Sequence, residues 1–205
     1  MRLGLLADIH EAVPELEAAL AILKKCAVDR IVVLGDIVET GSQLAAVTKL
    51  LAEHGAFGVW GNHDFGIAYQ PEDAIRMRYS DEVMRYMTGL APRLEIGDCL
   101  FTHVEPWLDP TDFFQLWRYE GEPVTVEQAA KSFECTAHRF LFVGHFHRWR
   151  VISDCETMNW DGTSPLDLSK CRRGLISVGA LCNGKFAIFD TESCELIPMR
   201  TDEVK

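Results

Sequence analysis

The sequence predicts an α/β fold in which two β-sheets pack together and helices cover the outside. In the first third of the chain, short apolar runs alternate with helical patterns, an order typical of a parallel sheet covered by helices. After residue 92, strand-like segments predominate, which indicates a second sheet. The 205 residues, of which 48% are hydrophobic and 25% charged, suffice for a full hydrophobic core. We therefore expect a single domain over residues 1–205.

Three strands and two helices are predicted in the first part of the chain. The strands are short apolar runs at residues 1–7, 31–34 and 57–60. Residues 14–26 have helical periodicity, with proline in the first turn and two lysines near the end. Residues 42–54 form a second helical pattern, which a glycine ends.

Strands are the main elements predicted in the rest of the chain. Residues 93–96 and 99–102 flank a Gly-Asp turn and read as a hairpin. Residues 125–135 open with a T-x-x-Q capping box and read as a helix. Further strands are predicted at residues 139–143, 149–153, 175–178, 185–190 and 195–199. Two segments fit neither pattern and are predicted to be insertions: the aromatic residues 105–121 and the polar residues 154–173.

Charge and cysteine content limit the partners and the compartment. The net charge of −11 disfavours general binding to nucleic acids and to anionic membrane surfaces. An anionic substrate would need local positive charge, for which a metal is the simplest source. The seven cysteines include no C-x-x-C pair, and neither a signal peptide nor a membrane-length apolar run is apparent. We therefore expect a cytoplasmic protein with reduced thiols.

Polar side chains follow five of the predicted strands, where each strand ends. They are Asp8, His10, Asp36, Asn62, His63, His103, His145 and His147. Open α/β sheets place their sites at this edge. Any one of these residues also fits a cap, a turn or a surface position. All of them at the same edge indicate a site.

The stretch LFVGHFHRW, residues 141–149, carries two of these histidines. In an extended segment, the side chains of His145 and His147 would point the same way. Gly144 would allow the backbone to turn sharply at this point. Both rings are therefore expected to face one spot.

The residue types indicate a metal centre. Carboxylate, imidazole and amide groups suit borderline divalent ions such as Mn, Fe, Zn or Ni. The set exceeds what one tetrahedral ion can bind, so two ions are expected. Two-metal sites hold ions ~3.5–4 Å apart and lower the pKa of bound water toward ~7. The sequence therefore predicts a hydrolytic centre with two metals.

The motifs D-x-H, G-D, G-N-H-D, T-H and G-H-x-H, in this order over residues 8–147, resemble those of the calcineurin-like metallophosphoesterase superfamily, in particular its small bacterial and archaeal phosphodiesterase-like members. The resemblance implies a sandwich of two mixed sheets flanked by helices, in four layers. It implies that one metal is bound by Asp8, His10 and His147, the other by Asn62, His103 and His145, and that Asp36 bridges both.

Two further residues are candidates for catalysis. His63 lies beside Asn62 and suits donation of a proton or hydrogen bond to the substrate, the role of the equivalent histidine in the resembling family. The stretch GDIVETG resembles the G-D-x-V-D-R-G of protein serine/threonine phosphatases, with Glu39 at the position of an aspartate that orients the histidine. Thr40 replaces the phosphate-binding arginine, so protein substrates lose support. Glu39 either orients His63 or is a solvated loop carboxylate.

The sequence determines the substrate contacts less closely than it determines the metal ligands. Asn62 and His63 are expected to touch the substrate, and Arg148 is the best-placed cation for a second phosphate unless it faces solvent. Glu105, where the resembling members have serine, either repels an anion or accepts a hydrogen bond. An aromatic group either forms a wall that stacks a nucleobase or packs as helix core; it comprises Trp107, Phe113, Phe114 and Trp117.

The expected function is hydrolysis of small phosphate esters (monoesters or diesters, with nucleotides among the candidates) by a hydroxide that bridges two metals. A nuclease is disfavoured because a basic groove is not expected in so acidic a chain. The alternative is a non-catalytic protein-interaction module on the same fold. Loss of the G-N-H-D histidine would favour that alternative, whereas here His63 and every predicted ligand are present.

Overall fold

The computed structural model of the protein describes residues 1–118 and 121–203. The strands are β1 (Arg2–Leu6), β2 (Arg30–Leu34), β3 (Phe57–Val59), β4 (Leu94–Ile96), β5 (Cys99–Thr102), β6 (Phe140–Val143), β7 (Arg150–Ser153), β8 (Leu166–Asp167), β9 (Gly174–Ser177), β10 (Lys185–Asp190) and β11 (Glu195–Arg200). The helices are α1 (Val13–Lys25), α2 (Leu44–Glu53), α3 (Phe65–Ala68), α4 (Asp73–Arg78), α5 (Asp81–Thr88), α6 (Phe113–Leu116) and α7 (Val126–Glu134).

The strands form two mixed sheets, as predicted. The first sheet has the order β3-β2-β1-β10-β11-β8, in which β1, β2 and β3 are parallel and the others antiparallel. The second has the order β4-β5-β6-β9-β7, with β5, β6 and β9 parallel. Three strands from the second half of the chain thus join the first sheet. The sheets do not follow the division of the sequence into halves.

The main apolar contact lies between the two sheets. Because side chains alternate along a strand, Leu3 and Leu5 of β1 face the second sheet. They pack in one cluster with Phe101, Phe142 and Phe189, all fully buried. The ring centroids of Phe101 and Phe142 are 5.2 Å apart, and those of Phe142 and Phe189 are 4.9 Å apart. This interdigitated layer holds the two sheets in a fixed relation.

Helices cover the outer faces of the sandwich. Helices α1, α2 and α5 pack on the first sheet, where Leu23 and Val47 share a cluster with Leu6 and Val33. Helix α7 covers the second sheet through Ala129 and Phe133. The predicted capping box is present, with Thr125 and Gln128 bonded to each other's backbone amides. The result is a four-layer arrangement of helices, two sheets and a helix.

Several elements were not predicted. Helices α3 and α4 are only four and six residues long, and α4 buries no side chain. Helix α5 has a Ser80 cap and one buried apolar face, a sequence signal that was missed. Strand β8 lies inside the predicted insertion at residues 154–173 and pairs with β11 at the edge of the first sheet. The insertion at residues 105–121 contains α6, and its residues 119 and 120 lie outside the described residues.

No helix in the described part of the chain is long and apolar enough to cross a membrane.

Candidate metal centre

The predicted ligands meet at one end of the two sheets, in the loops that follow β1, β2, β3, β5 and β6. Three groups of side chains each place one nitrogen or oxygen per residue within 4.8 Å of the others. They are Asp8, His10 and His147; His10, Asp36 and His63; and Asp36, His103 and His145. The first and third groups correspond to the two metal sites that the sequence predicts, and Asp36 and His10 connect them.

The backbone at five of the predicted ligands is left-handed. The φ angles are +52° at Asp8, +44° at His10, +53° at Asp36, +66° at His145 and +58° at His147. This conformation costs a residue with a Cβ atom about 1–2 kcal/mol. Such outliers persist where the surrounding structure holds them, and they concentrate at functional sites.

This backbone corrects the reason given for the convergence of the two histidines in residues 141–149. Strand β6 ends at Val143, so His145 and His147 do not belong to an extended segment. Their own left-handed conformations make the turn, and Gly144 has no positive φ. A Cβ at Gly144 would lie 2.9 Å from the carbonyl oxygen of Leu34, so glycine is needed there for close approach. The two rings nevertheless line one pocket, as expected. The other residues that line this pocket are His10, Asp36, Glu39, Asn62, His63, Trp117 and Cys182.

The first group of ligands has the features of a cation site. Nε2 of His10 lies 3.2 Å from Nε2 of His147, which in turn lies 3.5 Å from Oδ1 of Asp8. Oδ2 of Asp8 is buried and has no hydrogen-bond partner among the residues that the structure describes. A buried carboxylate oxygen without a partner is costly unless a cation or proton binds it.

The second group is built around Asn62. Its Oδ1 lies 2.9 Å from Nε2 of His103 and 3.1 Å from Nδ1 of His145. On its other side, the His103 ring donates from Nδ1 to the carbonyl oxygen of Leu34 at 2.7 Å. This bond fixes the tautomer, so Nε2 of His103 is the nitrogen available to a metal.

Asp36 lies between the two groups. Its Oδ2 is 3.7 Å from Nε2 of His10 and 3.3 Å from Nε2 of His103. Its Oδ1 accepts a hydrogen bond from the backbone amide of His63 at 3.0 Å. One carboxylate therefore faces nitrogen ligands of both predicted sites, which is the position that a bridging ligand requires.

Burial and charge shift the pKa values of this cluster in opposite directions. Burial raises the pKa of Asp8 to about 7. Burial also disfavours ionisation of Asp36, but the charge and hydrogen bond of His103 outweigh it and hold the pKa of Asp36 well below its usual range. Burial works against the charge on His103, whereas Asp36 raises its pKa to about 9. Burial, aided by the charge on His103, lowers the pKa of His145 to about 3.

His63 and Glu39 both line the pocket, but their contacts differ from those predicted. Oε2 of Glu39 lies 2.8 Å from Nδ1 of His10 and 4.0 Å from Nδ1 of His63. The primary partner of Glu39 is therefore the candidate ligand His10. A carboxylate that accepts from Nδ1 leaves Nε2 of His10 free to face a metal and raises its basicity. The edge of the His10 ring meets His63, with centroids 4.9 Å apart.

Arg148 does not occupy the predicted position. Its side chain is exposed and is absent from the residues that line the pocket. Its carbonyl oxygen accepts a hydrogen bond from the Ser177 hydroxyl at 2.7 Å, which fixes the backbone after the turn at His147. The prediction of a substrate contact from Arg148 is not supported by this geometry.

The aromatic insertion divides into two parts. Trp117 lines the pocket, and its ring centroid lies 5.1 Å from that of His63. Trp107 lies outside the pocket. The Nζ atom of Lys131 is 4.5 Å from the centroid of the Trp107 ring, and the indole N–H of Trp107 donates to Glu105 at 3.2 Å. Glu105 is thus a hydrogen-bond acceptor within the insertion, and Trp107 belongs to the scaffold.

Two carboxylates that had no predicted role hold the loops of the site. Asp64 is fully buried and accepts from the backbone amides of Ile37, Val38 and Gly61 at 2.9, 3.0 and 2.9 Å. Glu11 accepts from the amide of Gln43 at 3.2 Å and from two hydroxyls of the same loop. Asp64 ends the G-N-H-D motif, and Glu11 directly follows D-x-H. The sequence signal that could have identified both carboxylates was their position within, or directly after, a metal-site motif.

Comparison with known proteins agrees with this site. Residues 1–187 match the family model of the calcineurin-like phosphoesterase superfamily domain. No curated protein sequence matches the chain. A metallophosphoesterase from Sphaerobacter thermophilus is 25% identical and has a TM-score of 0.78, with 98% of this chain and 88% of that chain covered. An archaeal phosphodiesterase shares the fold at 16% identity, with a TM-score of 0.58 and 98% and 99% covered. A protein of Thermus thermophilus, TT1561, does so at 13% identity, with a TM-score of 0.59 and 98% of each chain covered. The chain therefore belongs to the calcineurin-like phosphoesterase superfamily and is a hydrolase of phosphoric esters.

Proposed function

We propose that the protein hydrolyses small phosphate esters at a centre of two divalent cations. The observation that carries this proposal is the position of the Asp36 carboxylate, with one oxygen 3.7 Å from Nε2 of His10 and 3.3 Å from Nε2 of His103. Asp8, His10 and His147 would hold one cation. Asn62, His103 and His145 would hold the other, and Asp36 would contact both.

The donor set fits such cations. It consists of imidazole nitrogens with carboxylate and amide oxygens, which suits Mn, Fe, Zn or Ni. The unpartnered Oδ2 of Asp8 and the facing nitrogens of His10 and His147 support a cation at the first site. When bound, two cations would supply a water of lowered pKa and positive charge against the phosphoryl oxygens.

His63 is proposed as the proton donor to the leaving group. Its backbone amide is fixed to Asp36, and its ring lines the pocket with 30% of the side chain exposed. In the reaction, the oxygen of water bonds to phosphorus, the ester P–O bond breaks, and the water gives up its proton to solvent. A proton from the His63 ring would neutralise the leaving oxygen.

The pocket favours a small substrate. Its volume of about 520 Å³ lies within the usual range for a small-molecule site. The chain carries a net charge of −11, so the cations would be the main attraction for an anion.

The seven cysteines are free, which supports a reducing compartment such as the cytoplasm.

A metal and substrate panel tests the proposal. The protein is stripped with a chelator and loaded with Mn, Ni, Co, Zn or Mg, and hydrolysis of phosphomonoesters, phosphodiesters and nucleotides is measured beside metal content. We expect two ions per chain and metal-dependent hydrolysis. Asp36→Asn should lose both, and Asp73→Asn on the exposed helix α4 is the matched control. A fully loaded protein that hydrolyses no ester would contradict the proposal.

A further inference from the structure

A second cavity adjoins the pocket at His63. This cavity has a volume of about 680 Å³, and His63 lines both it and the metal pocket. Its wall includes Phe65, Tyr69 and Phe113. A ligand that places its phosphoryl group among the metal ligands can therefore extend past His63 into the second cavity.

Aromatic rings that line the pocket or the second cavity form a continuous row that begins at His63. The centroid distances are 5.1 Å from His63 to Trp117, 6.1 Å from Trp117 to Phe113 and 5.8 Å from Phe113 to Phe65. The side chains of Phe113 and Trp117 are 49% and 45% exposed, so they are not core residues. Exposed aromatic faces beside a polar site are a common means of binding the organic part of a ligand.

The short helix α6 holds this row in place. Phe113 and Trp117 are four residues apart and therefore lie on the same side of the helical turn. The Asp112 side chain caps the helix by accepting from the amides of Phe114 and Gln115 at 2.9 and 3.3 Å. Leu116, in the same turn, is fully buried and anchors the helix to the rest of the protein. The two rings are thus presented by an ordered support.

The charges around both cavities exclude an extended anion. Among the described residues that line them, none is lysine or arginine, whereas Asp36, Glu39 and Glu72 are carboxylates. A second phosphate or a carboxylate on the substrate would meet no lysine or arginine among these described lining residues. An uncharged ring would meet aromatic faces instead.

We infer that His63, Phe113 and Trp117 form a subsite for an uncharged aromatic leaving group of the phosphate ester. This inference rests on the proposed function and adds the class of substrate to it. With the ring seated on Trp117 and Phe113, the ester oxygen between ring and phosphorus lies beside His63. The row therefore also aligns the leaving oxygen with its proposed proton donor.

Two esters that differ in the leaving group test the subsite. Methyl p-nitrophenyl phosphate carries a ring, and methyl 2,2,2-trifluoroethyl phosphate does not. Trp117→Ala and Phe113→Ala should lower kcat/KM for the aryl ester by about tenfold, the effect of losing one aromatic stack, and several times less for the trifluoroethyl ester. Met77→Ala is the control, because Met77 is 82% exposed and lines neither cavity.

Further measurements separate the subsite from folding and from the proposed function. Trp117→Leu and Phe113→Leu retain a larger apolar side chain without the aromatic ring. If the alanine variants unfold, the leucine variants should show the expected greater loss on the aryl ester. Calorimetric binding of phenyl methylphosphonate and methyl methylphosphonate gives a result even for an inactive protein, and the phenyl preference should vanish in the variants. Equal loss on both esters, an equal effect of Met77→Ala, or equal binding of the two phosphonates overturns the subsite. Failure of the wild type to hydrolyse any ester bears on the proposed function alone.

Discussion

At the scale of single residues, the proposed role of His63 as proton donor can be tested separately from metal binding. It touches Asp36 through its backbone amide, so its ring is not required to position that carboxylate. His63→Ala should therefore keep both ions and slow hydrolysis by about 10²–10⁴-fold, the usual contribution of a positioned acid. Metal content and kcat are measured on the same sample, with His54→Ala at the exposed end of α2 as control. An unchanged kcat at full metal content would remove His63 from the mechanism.

Glu39 is expected to act through His10. Because its carboxylate lies 2.8 Å from Nδ1 of His10 but 4.0 Å from His63, its removal should affect the metal site first. Glu39→Gln should weaken binding of one of the two ions by about 10–100-fold, as is usual for a carboxylate behind a metal-bound histidine. Metal titration measures this, with Glu53→Gln on the surface of α2 as control. Unchanged metal affinity with slower hydrolysis would instead indicate orientation of His63.

The protonation of His103 predicts a pH dependence of metal binding. Although burial disfavours its charge, Asp36 raises the pKa of His103 from 6.5 to about 9 in the metal-free protein. Its proton stabilises the metal-free fold fully below pH 6.5, and that stabilisation is lost as pH rises through 9. A metal at Nε2 must displace this proton, so affinity should rise between about pH 7 and 9 by up to about tenfold per unit. Calorimetry in buffers of different ionisation enthalpy measures the released proton; binding without proton release would contradict the assignment.

At the scale of elements, the loops after β2 and β3 depend on Asp64. Its carboxylate joins the amides of Ile37 and Val38 to that of Gly61, which precedes Asn62. Asp64→Ala would leave these buried amides unsatisfied and should lower the free energy of unfolding by about 2–5 kcal/mol. Asp64→Asn keeps one acceptor and should cost less. Denaturant unfolding measures both, and Asp73→Ala, exposed on α4, is the control. Equal stability of the Ala and Asn variants would argue against a stabilising role for the hydrogen bonds to the Asp64 carboxylate.

The elements that could be predicted are those with strong local signals. Strands β1 and β2 are buried on both faces and read as apolar runs, and α7 has its capping box in the sequence. Helix α4 buries no side chain, so no apolar period marks it. Strand β8 is two residues long and exists through its pairing with β11, a tertiary contact. The left-handed backbone at His145 and His147 had no signal either, because glycine is the residue that normally marks it.

At the scale of the whole molecule, the site could be predicted because the fold brings strand ends together. Asp8, Asp36 and Asn62 follow strands of the first sheet, and His103 and His145 follow strands of the second. The order of motifs was sufficient to place these residues at one edge. Side-chain partners depend on distances that spacing does not determine. Glu39 therefore contacts His10, a partner that neither predicted alternative (orientation of His63 or a solvated loop carboxylate) included, and Arg148 lies outside the pocket.

Because both sheets supply ligands, metal binding should stabilise the fold as a whole. Each proposed cation would link loops of the first sheet to loops of the second, and unfolding would have to break that link. A ligand present at about 100 times its Kd adds about 2.7 kcal/mol to the free energy of unfolding. For a chain of this size, this raises Tm by about 5–10 °C.

Calorimetric melting of the stripped and the Mn-loaded protein measures this shift, and addition of a chelator should reverse it. Asp36→Asn touches both proposed sites and should lose most of the shift, whereas His63→Ala should keep it. A Tm that is the same with and without metal, at full metal content, would mean that the ions bind the unfolded chain as tightly as the folded one, which contradicts a site built by the fold. The separation between the two variants is the sharper result, because only a shared carboxylate makes one substitution weaken both links between the sheets.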